Sequence, residues 1–270
     1  MANIHPLATV HPGAKLADSV EVGPYAFIDD KVEIGDGTRI LPHATVFSYV
    51  RIGKDCTVFP GAVVGAIPQD LKYDGEESFV EIGDRVNIRE CATINRGTKA
   101  SGKGVTKIGS DTLIMSYVHV AHDCRVGDHC ILTSYVGIAG ETDVDDWAII
   151  GGGTKVHQFS HIGTHAMVGG NSGVNKDIPP YSLCGRQPLV YAGVNIVGLR
   201  RRGFDSSVIR DIKDIYDMLY YQGYNFSDAV ARIEAGFPDF PEKKVILDFI
   251  RNSKRGIVRG GDSHEKGGIE

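Results

Sequence analysis

Over roughly the first two-thirds of the chain, large apolar side chains recur with a period of six. An Ile, Val or Leu occupies every sixth position from Ile4 to Val64, then Ile82, Ile88 and Ile94, then every sixth position from Ile108 to Val174. The pattern breaks twice, across "QDLKYDGEESFV" and across "KASGKGVTK". Four residues after each aliphatic comes a second register of mostly small side chains, among them Ala26, Ala44, Cys56, Ala62, Cys124, Cys130 and Ala148. On extended backbone, positions two or four apart point the same way, so the large and the small residue enter one narrow core. Six residues are too few for a helix. Gly or Asp after most of the aliphatics is expected to turn a corner, which predicts a coil with flat sides and tight bends, one short strand per side.

This pattern resembles the hexapeptide repeat of the left-handed parallel β-helix. The resemblance implies three hexapeptides per triangular turn, 18 residues in all, and supplies the hand; the general preference for right-handed crossovers points the other way.

After "IPPYSLCGRQP" the periodicity becomes helical. Val208, Ile209, Ile212, Ile215, Tyr216 and Leu219 fall on one helix face behind Asp205 as cap, with Gly223 as stop. Ser227 is expected to cap "DAVARIEAGF", and Pro241 to open a further helix with Val245, Ile246, Phe249 and Ile250 on one face. The expected organisation is an all-β left-handed parallel β-helix over residues 1–190, with loop insertions near 69–80 and 99–107. A small C-terminal α-helical domain over 191–259 and a disordered tail over 260–270 follow.

Composition narrows the setting. A net charge of −5 and a pI near 6.1 speak against nucleic acid as a partner. Five cysteines without a CxxC spacing, and an N-terminus "MANIHPLATV" without the pattern of a signal peptide, point to a reducing, cytoplasmic location. No run approaches the roughly 18 apolar residues of a membrane span.

If a turn is 18 residues, residue n lies beneath residue n + 18, about 4.8 Å away. His122 then stacks beneath Gly140 and Gln158, Asp123 beneath Glu141 and Phe159, and His119 beneath Gly137 and Lys155. His122 falls between Val120 and Cys124, which already account for the core, so it is either a surface or subunit-interface histidine or a working one. Two neighbours favour the second. Asp123 can orient an imidazole, and a bare glycine lets a substrate oxyanion approach the Gly140 N–H. Imidazole titrates near neutrality, as proton abstraction requires.

Cys56, Cys124 and Cys130 occupy the small inward register and are expected to be core residues; Cys91 and Cys184 stay unassigned. "GGGTKVHQF" lacks the Gly-Lys-Ser/Thr ending of a phosphate loop. His119, His122, His157, His161 and His165 are numerous enough to suggest the zinc sites of carbonic anhydrases that share this coil. No second imidazole shares the His122 column, however, so a metal is not expected.

With "QDLKY", "HVAHDC", "VHQF" and "GVNIVGLRRRGF" in this order, the chain resembles the UDP-N-acetylglucosamine acyltransferases that open lipid A synthesis. The resemblance implies that a histidine deprotonates the sugar 3-hydroxyl, which attacks the thioester of a 3-hydroxyacyl chain on acyl carrier protein. The base matches His122, the orienting acid Asp123 and the oxyanion donor the amide of Gly140. Gln69, Asp70 and Lys72 match contacts to the sugar nucleotide from the first insertion, and His119 and Gln158 match further sugar contacts. Asn195, Arg201 and Arg202 match residues around the nucleotide phosphates and the carrier arm, where Arg forks suit phosphate. Gly170 matches the position that limits acyl length, and a glycine there implies a long chain.

Family members are homotrimers with sites between subunits, which a prism with flat polar sides would suit. Arg200, Arg201, Arg202, Lys213, Arg251, Lys254 and Arg255 are candidate contacts for an acidic carrier. Two positions depart from the family: Glu141 stands where histidine is common, and Val197 where an acid is common. Both leave the acceptor's 3-substituent open. The competing readings are the later N-acyltransferase of the same pathway, expected to carry a domain before the repeats where these begin at Ile4, a coenzyme A-dependent acetyltransferase, and a non-catalytic scaffold.

Overall fold

A computed structural model describes residues 1–261; the rest of the expected disordered tail lies outside the described residues. The hexapeptides form three parallel sheets, beginning at Asn3–Ile4, Thr9–Val10 and Lys15–Leu16, with most strands only two residues long. Successive coils pair residue n with n + 18, as in His119↔Gly137↔Lys155. The offset grows only where an insertion intervenes, for example Thr57↔Asn87 and Asn87↔Leu113. Both insertions leave at the same corner, between second and third sheet: Val63–Ala66 is followed by Phe79–Ile82, and Thr93–Asn95 by Val105–Ile108. That is also the corner that holds His122.

The two inward registers fill the prism. Val64, Ile88, Ile94, Leu132 and Ile138 are fully buried, and so are their small partners Ala44, Cys56, Ala62 and Cys130. Alternating large and small residues keeps a narrow triangular section filled without voids.

The corners are turned differently from expectation. The left-handed residue comes three after the aliphatic and is seldom glycine: Tyr117, Asp123, Tyr135, Glu141, Trp147, Phe159 and His165 all have φ between 57° and 65°. Where a glycine does follow the aliphatic directly, it permits close stacking instead. A Cβ at Gly109 would stand 2.4 Å from the Gly127 carbonyl carbon.

The outer faces differ in character. The third sheet carries alternating charges, with Lys15–Glu33, Arg51–Glu81 and Lys107–Glu81 paired between coils. The first sheet presents Leu113, Ile131, Ile149 and Met167 outward on four successive coils, all partly exposed. The expectation of flat polar sides therefore fails over these four coils, although Glu21, Arg39, Thr57 and Asn87 keep the earlier coils of the same sheet polar on the outside.

The last coil closes with Ser182–Gly185 pairing antiparallel to Val190–Val194. Among the described residues four helices follow: α1 (Ile196–Arg201), α2 (Ser206–Tyr220), α3 (Phe226–Gly236) and α4 (Pro241–Asn252). Ile209, Ile212, Ile215, Tyr216 and Leu219 of α2 are buried, and the Tyr216 hydroxyl donates to the Pro180 carbonyl. Asp205 stands at the N-cap of α2 but its side chain makes no capping bond. Helix α1, unmarked by periodicity, follows Asn195, whose side chain accepts from Gly198 N–H.

Two local expectations are corrected. Asn225, not Ser227, caps α3, accepting from Asp228 N–H at 2.9 Å and leaving Ser227 inside the helix. In α4 the buried stripe runs through Lys243, Ile246, Leu247 and Phe249, which turns Val245 outward at 38% exposure. Beyond α4 the chain returns to the coil, where Ser253 Oγ donates to Asp177 and Val258 N–H to the Asp177 carbonyl. No helix among the described residues is long and apolar enough to cross a membrane.

Candidate active site

Val120 ends a strand of the second sheet, and the chain turns the corner through His122 and Asp123. The inward registers belong to Val120 and Cys124, so the imidazole lies on the outside of the corner. It is nonetheless only 8% exposed, with Asp70 of the first insertion and Gly140 of the next coil lying against it. His122 Nδ1 is 2.8 Å from Asp123 Oδ2, and His122 Nε2 is 3.6 Å from Asp70 Oδ2 of the first insertion. The ring packs against the next coil at Gly140: a Cβ there would meet Nε2 at 2.3 Å and Cε1 at 2.5 Å.

Gly140 O accepts from Phe159 N–H, while Gly140 N–H donates to no group among the described residues. One coil above Gly140 comes Gln158, partly exposed, whose carbonyl accepts from Arg255. Glu141 follows Gly140 on the column of left-handed corner residues, its N–H donating to the His122 carbonyl.

Asp123 is fully buried and heavily hydrogen-bonded. Thr98 N–H donates to Oδ1 at 2.9 Å and to Oδ2 at 3.0 Å, and Thr98 Oγ1 donates to Oδ2 at 2.7 Å. Asp123 N–H donates in turn to Thr106 Oγ1, and Lys103 Nζ donates to the Asp123 carbonyl. Thr98, Lys103 and Thr106 belong to the second insertion and its flanks, and no sequence pattern pointed to them. The only signal was position, since "NRGT" directly follows Ile94 where the hexapeptide rhythm stops.

His119, one strand position before Val120, contacts Thr93 Oγ1 through Nδ1 at 2.7 Å. Burial, helped by nearby His122, lowers its pKa, so His119 is a neutral partner near neutral pH. In the first insertion, Asp70 is held by Lys72 N–H to Oδ1 and by Tyr73 N–H to its carbonyl, while Gln69 and Lys72 are exposed.

The remaining predicted residues sit elsewhere on the single chain. Gly170 lies at the corner from first to second sheet, beside Gly152 of the coil before. Asn195, Arg201 and Arg202 lie beyond the corner from third to first sheet. There Asn195 Nδ2 donates to the His165 carbonyl, and Arg202 reaches His165 Nδ1 and stacks over Trp147. Of the other basic candidates, Lys213 pairs with Asp217, Arg251 with Glu234, and Arg255 donates to main-chain carbonyls. Arg200, Arg201 and Lys254 make no ion pair among the described residues.

The five histidines do not converge. His161 binds Asp145 and packs on Phe249 of α4, and His165 sits in a ladder of stacked rings between Trp147 and Tyr181. Among the described residues no three His, Cys, Asp or Glu side chains are grouped to hold a metal ion. Cys56, Cys124 and Cys130 are buried as expected, and burial pushes the Cys124 and Cys130 thiols up to about 12. Cys184 is buried too; Cys91 is exposed.

An imidazole oriented by a carboxylate, beside an unengaged main-chain N–H and within reach of a loop carboxylate, is equipped for acid–base chemistry at a carbonyl. Comparison with known proteins supplies the family. Residues 177–258 match the family model for UDP N-acetylglucosamine O-acyltransferase, domain 2, and residues 106–140 match the bacterial transferase hexapeptide model. A Sulfurihydrogenibium protein named acyl-(acyl-carrier-protein)–UDP-N-acetylglucosamine O-acyltransferase is 57% identical over 96% of this chain and 95% of its own. The chain belongs to the UDP-N-acetylglucosamine O-acyltransferase family. A Chlorobium phaeobacteroides relative of the same name is 60% identical over 95% of this chain and 97% of its own. The solved UDP-N-acetylglucosamine acyltransferase of Bacteroides fragilis superposes with a TM-score of 0.93 at 50% identity, covering 95% of this chain and all of that one. The coil is thus the left-handed parallel β-helix of this acyltransferase family, with a C-terminal helical part.

Proposed function

We propose that this protein transfers a 3-hydroxyacyl chain from acyl carrier protein to the 3-hydroxyl of UDP-N-acetylglucosamine, the first step of lipid A synthesis, in the cytoplasm and without a cofactor. The observation that carries the reading is the seating of the His122 ring between Asp123 and Gly140. His122 Nε2 removes the 3-hydroxyl proton as that oxygen attacks the thioester carbonyl. The carbonyl π pair moves onto oxygen, facing the Gly140 N–H. When the carbonyl re-forms, the C–S bond breaks and the carrier thiolate takes the proton from His122, which returns the base to its starting state. Asp123 fixes the tautomer that leaves Nε2 free and stabilises the transient imidazolium. Gln69, Asp70, Lys72, His119 and Gln158 hold the sugar nucleotide around this centre.

The same reading requires more than one copy. On one chain the His122 corner and the corner beside Asn195, Arg201 and Arg202 lie at opposite edges of the third sheet. A homotrimer in which the second sheet of one copy faces the first sheet of the next brings these corners together. Gly170, at the corner between first and second sheet, then lies inward, at the far end of the cleft between copies, where a glycine leaves room for a long acyl chain. The apolar outer patch formed by Leu113, Ile131, Ile149 and Met167 on the first sheet supports that packing, and the charged third sheet is suited to water. Residues 1–190 would then form the catalytic coil, and residues 191–259 a helical part that contributes Arg200, Arg201 and Lys254 to carrier binding.

The test is transfer of 3-hydroxyacyl groups of several lengths from acyl carrier protein to UDP-N-acetylglucosamine, with the product weighed by mass spectrometry. Long chains are expected to be preferred, with activity falling by about a thousandfold or more in His122→Ala. Full activity in that variant would overturn the mechanism. Inactivity of the parent protein with every acyl-carrier donor would overturn the function.

A further inference from the structure

Thr98 is buried at the start of the second insertion and spends both its donors on one group. Its N–H reaches both oxygens of Asp123, and its hydroxyl adds a bond to Oδ2, the same oxygen that faces His122 Nδ1. No cation touches the Asp123 carboxylate among the described residues; Lys103 Nζ, 3.3 Å from the Asp123 carbonyl, pairs with Asp143 instead. Thr98 and the imidazole are therefore what holds this fully buried anion.

The segment is itself anchored on the first insertion. Lys99 N–H donates to Glu76 Oε1, Arg96 Nη2 to Tyr73 Oη, and Gly97 N–H to the Phe79 carbonyl. Asp123 also stands on left-handed backbone, with φ of 60°, so its side chain leaves the coil in a direction fixed by the corner. The carboxylate orientation is thus determined from two sides, by the corner and by Thr98.

We propose that Thr98 is a positioning residue for the His122–Asp123 pair, fixing the carboxylate plane with its N–H and moderating the pull of Oδ2 on the imidazole with its hydroxyl. This rests on the reading of His122 as general base. An oxygen that accepts from both a hydroxyl and an imidazole shares its charge between them. Removing the hydroxyl leaves more of that charge to the imidazolium, which then gives up its proton less readily. The other charged or titratable groups that interact with the His122 ring among the described residues are Asp70 from the first insertion and His119 from the adjoining strand. The substitution touches neither of them.

The experiment compares kcat/KM against pH for the full-length parent, Thr98→Val and Thr98→Ser. Valine keeps the shape and the N–H but lacks the hydroxyl; serine keeps both donors. The acid limb of Thr98→Val is expected to move up by about half a pH unit or more, with KM for the sugar nucleotide within about twofold of the parent. Thr98→Ser is expected to follow the parent. Should Thr98→Val not fold, Thr98→Ala carries the same expectation. A hydroxyl-free variant whose profile superposes on the parent's, or Thr98→Ser shifted as far as Thr98→Val, overturns the proposal and leaves the general-base reading intact. Loss of that reading would show separately, as full activity in His122→Ala.

Discussion

The imidazole of His122 lies against the α-carbon of Gly140, close enough that a single added methyl would stand 2.3 Å from Nε2. Real Cβ contacts do not come that near, so Gly140→Ala must move the ring or the coil. The ring is tied through Nδ1 to Asp123, which is itself fixed, and the coil is tied by the Glu141 and Phe159 ladder bonds. We expect the ring to give way. Activity should fall by about a hundredfold or more, while the melting temperature drops only modestly, because the ring is at the surface of the coil. Steady-state kinetics alongside thermal unfolding checks this, and unimpaired turnover in Gly140→Ala would contradict the geometry.

Asp123 allows a cleaner separation of chemistry from folding. Asparagine is among the residues that tolerate left-handed backbone, so Asp123→Asn fits the corner at φ of 60°. It keeps one oxygen to accept from Thr98 but presents either an amide N–H to His122 or an unmatched pair of donors to Thr98. The expected result is a soluble protein whose kcat is lower by about a hundredfold or more, with KM little changed. A drop in KM affinity with kcat preserved would instead make Asp123 a substrate contact.

How much of this was legible beforehand depends on which residues face inward. The core registers were readable because a narrow prism admits only aliphatic and small side chains, and from them the stacking of His122 beneath Gly140 followed. The left-handed backbone at the corners was not readable, since a side chain there leaves the core and is Tyr, Asp, Trp or His in turn without affecting it. Thr98 was invisible for a different reason. It sits in an insertion, where no period relates it to Asp123, and only the folded corner brings them together. Ser227 and Asn225 are both good helix caps two residues apart, and composition alone does not choose between them. Gly170 and Asn195 matched family positions, yet nothing in one chain joins them to His122.

That last separation is testable through assembly. Ile131 and Ile149 point outward on adjacent coils of the first sheet, where a lone subunit would leave them partly wet. If another copy covers them, replacing both by aspartate buries two charges without partners, which costs several kcal/mol. Ile131→Asp/Ile149→Asp should then elute as a monomer with light-scattering mass near 29.2 kDa, keep its β-rich circular dichroism, and lose activity. An intact trimer in the double variant would move the interface to another face.

His165 gives a prediction about pH and stability that is independent of catalysis. It is stacked between Trp147 and Tyr181, with Arg202 reaching its Nδ1, and burial first and the Arg202 charge second push its pKa down from 6.5 to about 4. The folded state therefore resists protonation where the unfolded chain accepts it. The corresponding stability is fully present above about pH 6.5 and is lost progressively as the pH falls toward 4, below which the loss is complete. Partial exposure of the ring will soften the effect relative to a fully buried group. His165→Phe removes the titration and retains a ring in the ladder, at a corner position where Phe159 shows that phenylalanine accepts left-handed backbone. Its melting temperature should fall less steeply than the parent's between pH 6.5 and 4, with the two curves parallel above pH 7. Equal slopes across the acid range would mean that His165 is protonated in the folded protein and that Arg202 makes way for it.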